Sequence, residues 1–140
     1  MKRKRRTEIL LNSPRQLAEG LAQEILSSYS VNTIEDPNSG LVMVKVRETA
    51  KRELFFLGEV LITECKVMIS GCLGIGMTQG QDAELAYYLG IIDAAYNLGL
   101  PETEAWAEPL LAAESALQEK RQTHHAKILK TKVNFETMQL

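Results

Sequence analysis

The sequence predicts an α+β domain in which an antiparallel sheet of about four strands is flanked by N-terminal and C-terminal helices. Apolar residues recur at helical spacing near both ends of the chain, in residues 13–28 and 82–98. Between them, residues 41–78 are rich in β-branched residues and contain short turns, which favours antiparallel strands. The chain has 140 residues, the length of one domain, and we interpret residues 1–140 as a single domain.

The first long helix is predicted to begin after residue 13. Ser13 and Gln16 have the spacing of a capping box, and Pro14 suits the first helical position. Apolar residues then recur at every fourth position, at Leu17, Leu21 and Ile25. We expect this helix to end near Ser28 and a shorter helix, over residues 7–11, to precede it.

The sheet is predicted to follow a turn at residues 36–40, where Asp, Pro, Asn, Ser and Gly occur in succession. The next strand covers residues 41–46, and its alternate residues share one face: Val42, Val44 and Val46. A polar turn over residues 49–52 then separates this strand from the rest of the sheet.

The remaining strands are predicted from two apolar runs, residues 54–57 and 59–69. Gly58, between these runs, is a candidate bulge or bend. Ser70-Gly71 has the composition of a hairpin turn, and residues 72–78 return as another strand.

The helical spacing resumes at Asp82, and Gly99 supplies a C-terminal stop. A further helix is expected to begin at Glu102 or at Pro109. Residues 132–138 are β-branched and aromatic enough to form a strand or a docking tail.

Charge is distributed unevenly along the chain. Residues 2–6 are all basic, which leaves 11 basic and 18 acidic residues in the remainder. Such an acidic body disfavours nucleic-acid binding, which depends on neutralising phosphates. We therefore interpret residues 1–6 as a disordered basic tail, with an RNA- or anion-binding segment as the alternative.

No apolar run approaches the ~20 residues that a membrane-spanning helix requires. The N-terminus carries charge without the apolar stretch and small-residue cleavage site of a signal peptide. The sequence thus predicts a cytoplasmic protein that does not engage a membrane.

The residues that most often carry chemistry offer little support for catalysis. Cys65 and Cys72 are expected to be reduced, buried and inert, and they form no cluster motif. His124 and His125 are adjacent, so they face about 100° apart on a helix and do not form a chelating pair. Asp93, within an apolar helix, is either an acid–base group or a satisfied polar position. We expect no metal and no cofactor bound by this chain alone.

Four aromatic residues are candidates for a binding surface. They are Tyr87, Tyr88, Trp106 and Phe135.

A glycine-rich junction precedes the helix that begins at Asp82. Its spacing differs from the dinucleotide-binding fingerprint, and it lacks the Lys-Ser or Lys-Thr pair of a phosphate loop. The junction therefore either packs a strand against a helix or contributes to a contact with a ligand or partner. The candidate contact residues are Gly74, Gly76, Gln79, Gly80, Gln81 and Asp82.

Two parts of the chain together resemble one family. They are the stretch from LFFLGE at residues 54–59 through GIGMTQGQD at residues 74–82 to IDA at residues 92–94, and the closing KVNFETM at residues 132–138. They are similar to PhnG, a small subunit of the bacterial phosphonate carbon–phosphorus lyase core complex.

The resemblance implies a place in phosphonate catabolism and a set of partners. The chain would assemble with PhnH, PhnI and PhnJ as a hetero-oligomer, while self-association of the isolated chain is left open. The substrates of that complex are ATP and a phosphonate, which replaces adenine to give ribose 1-phosphonate 5-triphosphate. The cleavage of the carbon–phosphorus bond on PhnJ is a later, radical step. The chain itself would be a non-catalytic subunit of this transferase, and the resemblance assigns it no catalytic residue.

Two alternatives remain open on the sequence alone. One is a stand-alone nucleotide-binding module that uses the junction at residues 74–82. The other is an RNA-binding protein that uses residues 2–6.

Overall fold

The computed structural model describes residues 1–133. It contains two helices, three strands and three further helices. In chain order these are α1 (Arg3–Asn12), α2 (Arg15–Ser28), β1 (Val31–Arg47), β2 (Leu54–Ile69), β3 (Cys72–Gln79), α3 (Ala83–Leu98), α4 (Glu102–Ala105) and α5 (Ala107–Lys130). The predicted strand or docking tail at residues 132–138 lies, from residue 134 onward, outside the described residues. Among residues 1–133, no helix is both long and apolar enough to cross a membrane.

The three strands form one antiparallel sheet in the order β1-β2-β3, which confirms the α+β class. The part of the chain that the structure describes has three strands instead of about four, because residues 54–69 form one continuous strand. The predicted bulge at Gly58 is confirmed: Val44 pairs with Gly58, the next residue pairs with Phe56, and Leu57 is left without a partner. An extra residue of this kind bends a strand without ending it.

The predicted turn at residues 36–40 is wrong, because β1 runs through it as a strand. The pairing register with β2 shifts twice here, between Thr33 and Glu35 and between Glu35 and Asn38. Pro37 lies within the second shift, and β1 is an edge strand. Proline is tolerated at such a position because a bulge on an edge strand needs no donor from it. Residues 36–40 therefore have the composition of a turn but form an irregular part of a strand.

Two local predictions are confirmed at the turns. Ser70 and Gly71 both have positive φ, 47° and 85°, and they connect the paired residues Ile69 and Cys72. This is the geometry of a two-residue hairpin turn whose twist matches that of its strands. Gly99 ends α3 with φ 72°, in the left-handed conformation expected at a helix C-terminus.

The core lies between one face of the sheet and the helices. Cys65, Val67 and Ile69 of β2 are fully buried on that face. Trp106 is also buried, which corrects its interpretation as a binding-surface residue. Its indole Nε1 donates to a carboxylate oxygen of Glu24 at 2.7 Å, so the polar edge of the ring is satisfied inside the fold.

The N-terminal region differs from its prediction in two respects. Residues 3–6 are not a disordered tail but the beginning of α1, and Arg6 is only 4% exposed. The capping box is also absent, since Pro14 occupies the N-cap position of α2 and the buried hydroxyl of Ser13 has no hydrogen-bond partner within residues 1–133. The predicted end of α2 at Ser28 is confirmed.

Candidate functional site

The first half of the glycine junction is a packing surface for α3. A Cβ atom at Gly76 would lie 1.8 Å from the carbonyl oxygen of Ala86 and 2.5 Å from the amide nitrogen of Gly90. A Cβ atom at Gly74 would lie 2.2 Å from the carbonyl oxygen of Gly90. Both glycines are buried, because the backbones of β3 and α3 meet there directly. For Gly74 and Gly76 the structure shows the strand–helix packing alternative.

The second half of the junction turns the chain from β3 into α3. Gly80 has φ 83°, a conformation that residues with a side chain rarely adopt. Its amide donates to the carbonyl oxygen of Leu61 at 2.9 Å, and its carbonyl oxygen accepts from the hydroxyl of Thr63 at 2.7 Å. These two bonds fix the turn to the neighbouring strand β2.

Asp82 begins α3 and is already engaged within the chain. Its Oδ1 accepts from the amide of Leu85 at 3.0 Å, which confirms the predicted helix start. Its other carboxylate oxygen forms an ion pair with Arg15, which also contacts Glu84. The structure thus places Gly80 and Asp82 at one end of α3, beside the exposed Gln79 and Gln81. A ligand or partner contact by these four junction residues stays a prediction.

A buried ion cluster centres on Asp93, whose side chain is 6% exposed. Arg6 Nη2 donates to Asp93 Oδ1 at 2.8 Å, and Arg3 Nη2 lies 2.8 Å from Oδ2. The amide of Ile75 also donates to Oδ2, at 3.1 Å. Burial lowers the pKa of the Arg6 guanidinium from its ordinary value, while the charge of Asp93 opposes that shift. Asp93 is therefore a satisfied polar position, the second of the two interpretations of this residue.

The same cluster reaches the outer edge of the sheet. The carbonyl oxygen of Ile75 accepts from Arg3 Nη2 at 3.3 Å, and that of Leu73 accepts from Asn97 Nδ2 at 2.9 Å. Among residues 1–133 β3 is an edge strand, so within that range these backbone groups have no neighbouring strand to bond. Side chains of α1 and α3 satisfy them instead.

A long β-hairpin projects away from this core. We call residues 40–61, the distal parts of β1 and β2 and their connection, the arm. None of these residues is buried. The large apolar side chains of the arm are 36% to 65% exposed: Leu41, Val42, Met43, Val46, Leu54, Phe55, Phe56, Leu57 and Leu61. Exposed apolar area of this extent typically marks an interaction surface.

The two faces of the arm differ in charge. The strand register places five uncharged residues on the face that continues the uncovered side of the sheet: Val42, Val44, Val46, Phe55 and Val60. We call these five residues the apolar stripe. The opposite face mixes apolar residues with charges, and Lys45 lies over the ring of Phe56 with Nζ 4.8 Å from its centroid. The predicted common face of Val42, Val44 and Val46 is confirmed, but it is turned to solvent.

A comparison with known protein families identifies the family of this chain. A family model described as "Phosphonate metabolism protein PhnG" matches residues 1–139. The chain belongs to the PhnG family. The match confirms the resemblance seen in the sequence and makes this a phosphonate metabolism protein, and it includes the junction, the Asp93 cluster and the arm. Among curated proteins, none matches this PhnG-family chain.

The second half of α5 also extends beyond the core of this PhnG-family protein. Residues 118–130 are all exposed, including Ile128 at 53% and Leu129 at 52%. His124 and His125 line a surface groove of about 660 Å³ along this helix. In residues 1–133, no group of three or more His, Cys, Asp and Glu side chains is placed to hold a metal ion.

Sequence reasoning missed the arm and the role of Arg6. A signal for the arm was present, since residues 54–57 are apolar at four successive positions and so present apolar side chains on both faces of a strand. Arg6 carried no local signal, because its partner Asp93 lies 87 positions away in the chain.

Proposed function

We propose that this PhnG-family chain is a subunit of a carbon–phosphorus lyase core complex. In that complex it supports the transfer in which an alkylphosphonate replaces the adenine of ATP to give ribose 1-phosphonate 5-triphosphate. Family membership supports the pathway. The arm is the observation that carries the role of a subunit, because its apolar surface requires a protein to cover it.

The physical argument starts from the cost of exposing the arm. Burying apolar surface contributes roughly 25 cal/mol per Å², so large side chains left in water forgo a substantial stabilisation. An isolated two-stranded hairpin is also marginally stable in water. Phe56, Leu57 and Leu54 remain 56%, 65% and 57% exposed in residues 1–133, although Lys45 of the neighbouring strand lies over the ring of Phe56. Association with another surface supplies that burial.

The junction fits a supporting role better than an independent site. Gly74 and Gly76 are covered by α3, and the carboxylate of Asp82 is engaged by Leu85 and Arg15. A phosphate placed at this helix start would also meet the negative charge of Asp82. We infer that partner subunits supply the groups that hold ATP and the phosphonate, and that the PhnG-family chain positions those subunits.

Co-purification tests this proposal. The full chain is expressed with PhnH-, PhnI- and PhnJ-like subunits, and the PhnI-like subunit carries the affinity tag. We expect the wild-type chain to be retained in the complex. A variant in which residues 42–60 are replaced by Asn-Gly, joining the paired residues Leu41 and Leu61, should be lost while remaining folded by circular dichroism.

The control variant is Lys51→Ala, which alters an exposed residue at the tip of the arm and should still co-purify. The complexes are then assayed for adenine release from ATP with an alkylphosphonate, which should fall when the chain is lost. Failure of the wild-type chain to co-purify, with all proteins folded, would contradict the proposal. Full adenine release without the chain would contradict its supporting role.

A further inference from the structure

The apolar stripe presents a surface that is complementary to itself. Its exposed members include Val42, Val46 and Phe55, at 43%, 36% and 45%. None of its five residues carries a charge, so two stripes can meet without burying an unpaired ion. Sheets that pack face to face bury alternate residues in this way.

The shape of the stripe accommodates an antiparallel pair of copies. Gly40 and Gly58 lie on the same side of the arm as the stripe, and a Cβ atom added at either would meet nothing within 4 Å. When two arms face each other antiparallel about a two-fold axis at the level of Met43, β1 lies over β1 and β2 over β2, so Val46 of each copy falls over Gly40 of the other and Val60 falls over Gly58. The open space at each glycine is therefore filled by a valine of the other copy.

The charges along the arm favour the same orientation. Residues 45–53, at the tip, include four basic and two acidic residues. The sheet next to the base of the arm, residues 35–39 and 62–66, carries one basic residue, Lys66, and three acidic residues: Glu35, Asp36 and Glu64. An antiparallel pair brings the basic tip of each copy beside the acidic base of the other, whereas a parallel pair opposes like charges.

We propose that the apolar stripe is an interface between two copies of this chain, packed face to face with antiparallel arms. The interface is isologous, since each copy offers the same surface. The stripe is one face of the arm, and the apolar residues on the opposite face are left for the partner subunits of the proposed function. Single substitutions in the stripe therefore test the pairing separately from the deletion that tests the proposed function.

Sedimentation equilibrium of the full chain at micromolar concentration tests the pairing. We expect the mass of two chains for the wild type and of one chain for Val44→Glu, which places a carboxylate at the centre of the stripe. The control is Met43→Glu, at the next position of β1 but on the opposite face, where the side chain is 55% exposed. This variant should remain a dimer, and circular dichroism should show both variants folded.

Carbodiimide cross-linking, which joins amines to carboxylates, tests the orientation. Lys51 at the tip and Glu64 at the base lie roughly 30 Å apart along one arm, too far to be joined within one chain. We expect mass spectrometry to find a cross-link between Lys51 of one copy and Glu64 of the other.

Three results would overturn the proposal. They are a monomeric wild type, a dimer unaffected by Val44→Glu, and cross-links that join tip to tip. A monomeric chain whose Val44→Glu variant fails to co-purify with the partner subunits would assign the stripe to one of those subunits instead.

Discussion

Replacing Asp93 with asparagine should destabilise the fold strongly. The substitution keeps the shape of the side chain but removes the negative charge that faces Arg6, whose side chain is 5% exposed. A buried guanidinium without a counter-charge costs about 3–5 kcal/mol. That is a large share of the roughly 5–15 kcal/mol that stabilises a domain. With a slope of about 1.5–2 kcal/mol per M, the midpoint of urea unfolding should fall by about 1.5–3 M.

The cluster also predicts an asymmetry between its partners. Arg6→Met leaves the carboxylate of Asp93 paired with Arg3 and with the amide of Ile75, so its cost should be smaller, about 1–3 kcal/mol. Arg5→Ala is the matched surface control, because Arg5 is exposed and pairs with Glu114. Its cost should stay below about 1 kcal/mol.

Urea unfolding followed by circular dichroism, at one protein concentration, measures all three variants. A loss below about 1 kcal/mol for Asp93→Asn would refute the reasoning. So would a larger loss for Arg6→Met than for Asp93→Asn, because the calculation rests on which charge is left unpaired.

Four further substitutions have defined outcomes. Gly76→Ala should lower the free energy of unfolding in urea by about 3 kcal/mol or more, because the added Cβ would overlap the backbone of α3. Gly20→Ala lies in open space on α2 and should instead raise that free energy by about 0.5–1 kcal/mol. Equal effects of these two changes would contradict the packing argument. Asp82→Ala should cost about 1–2 kcal/mol in thermal unfolding through loss of the helix cap, and an unchanged midpoint would oppose that role. Phe56→Ser, on the arm, should change stability by less than about 0.5 kcal/mol in urea unfolding, and a larger loss would place the arm in the core.

The features that could be predicted from the sequence are those decided by neighbouring residues. The start of α3 at Asp82, its end at Gly99 and the turn at Ser70-Gly71 each depend on one side chain or one backbone conformation. The path of the chain around Pro37 does not depend on local residues alone, because a proline-containing turn and an edge-strand bulge have the same composition. Pairing with the long strand β2 decides between them.

The candidate site also combines features that local sequence predicts with features that depend on residues distant in the chain. The glycine junction was found from its sequence, but its packing role at Gly74 and Gly76 became visible only opposite α3. Small residues on that helix, Ala86 and Gly90, are the complementary signal. The tail interpretation of residues 1–6 failed because a run of basic residues gives no indication that one of them, Arg6, has a buried partner distant in the chain.

The hydrogen bonds from side chains to β3 restrict how this protein can aggregate. Another strand could extend the sheet at Leu73 and Ile75 only by displacing Asn97, Arg3 and Asp93 from the backbone groups they now occupy. Such blocking of an edge prevents the uncontrolled strand addition that leads to fibres. The fold thus closes this edge to amyloid-like growth at those positions while its apolar faces stay available for specific association.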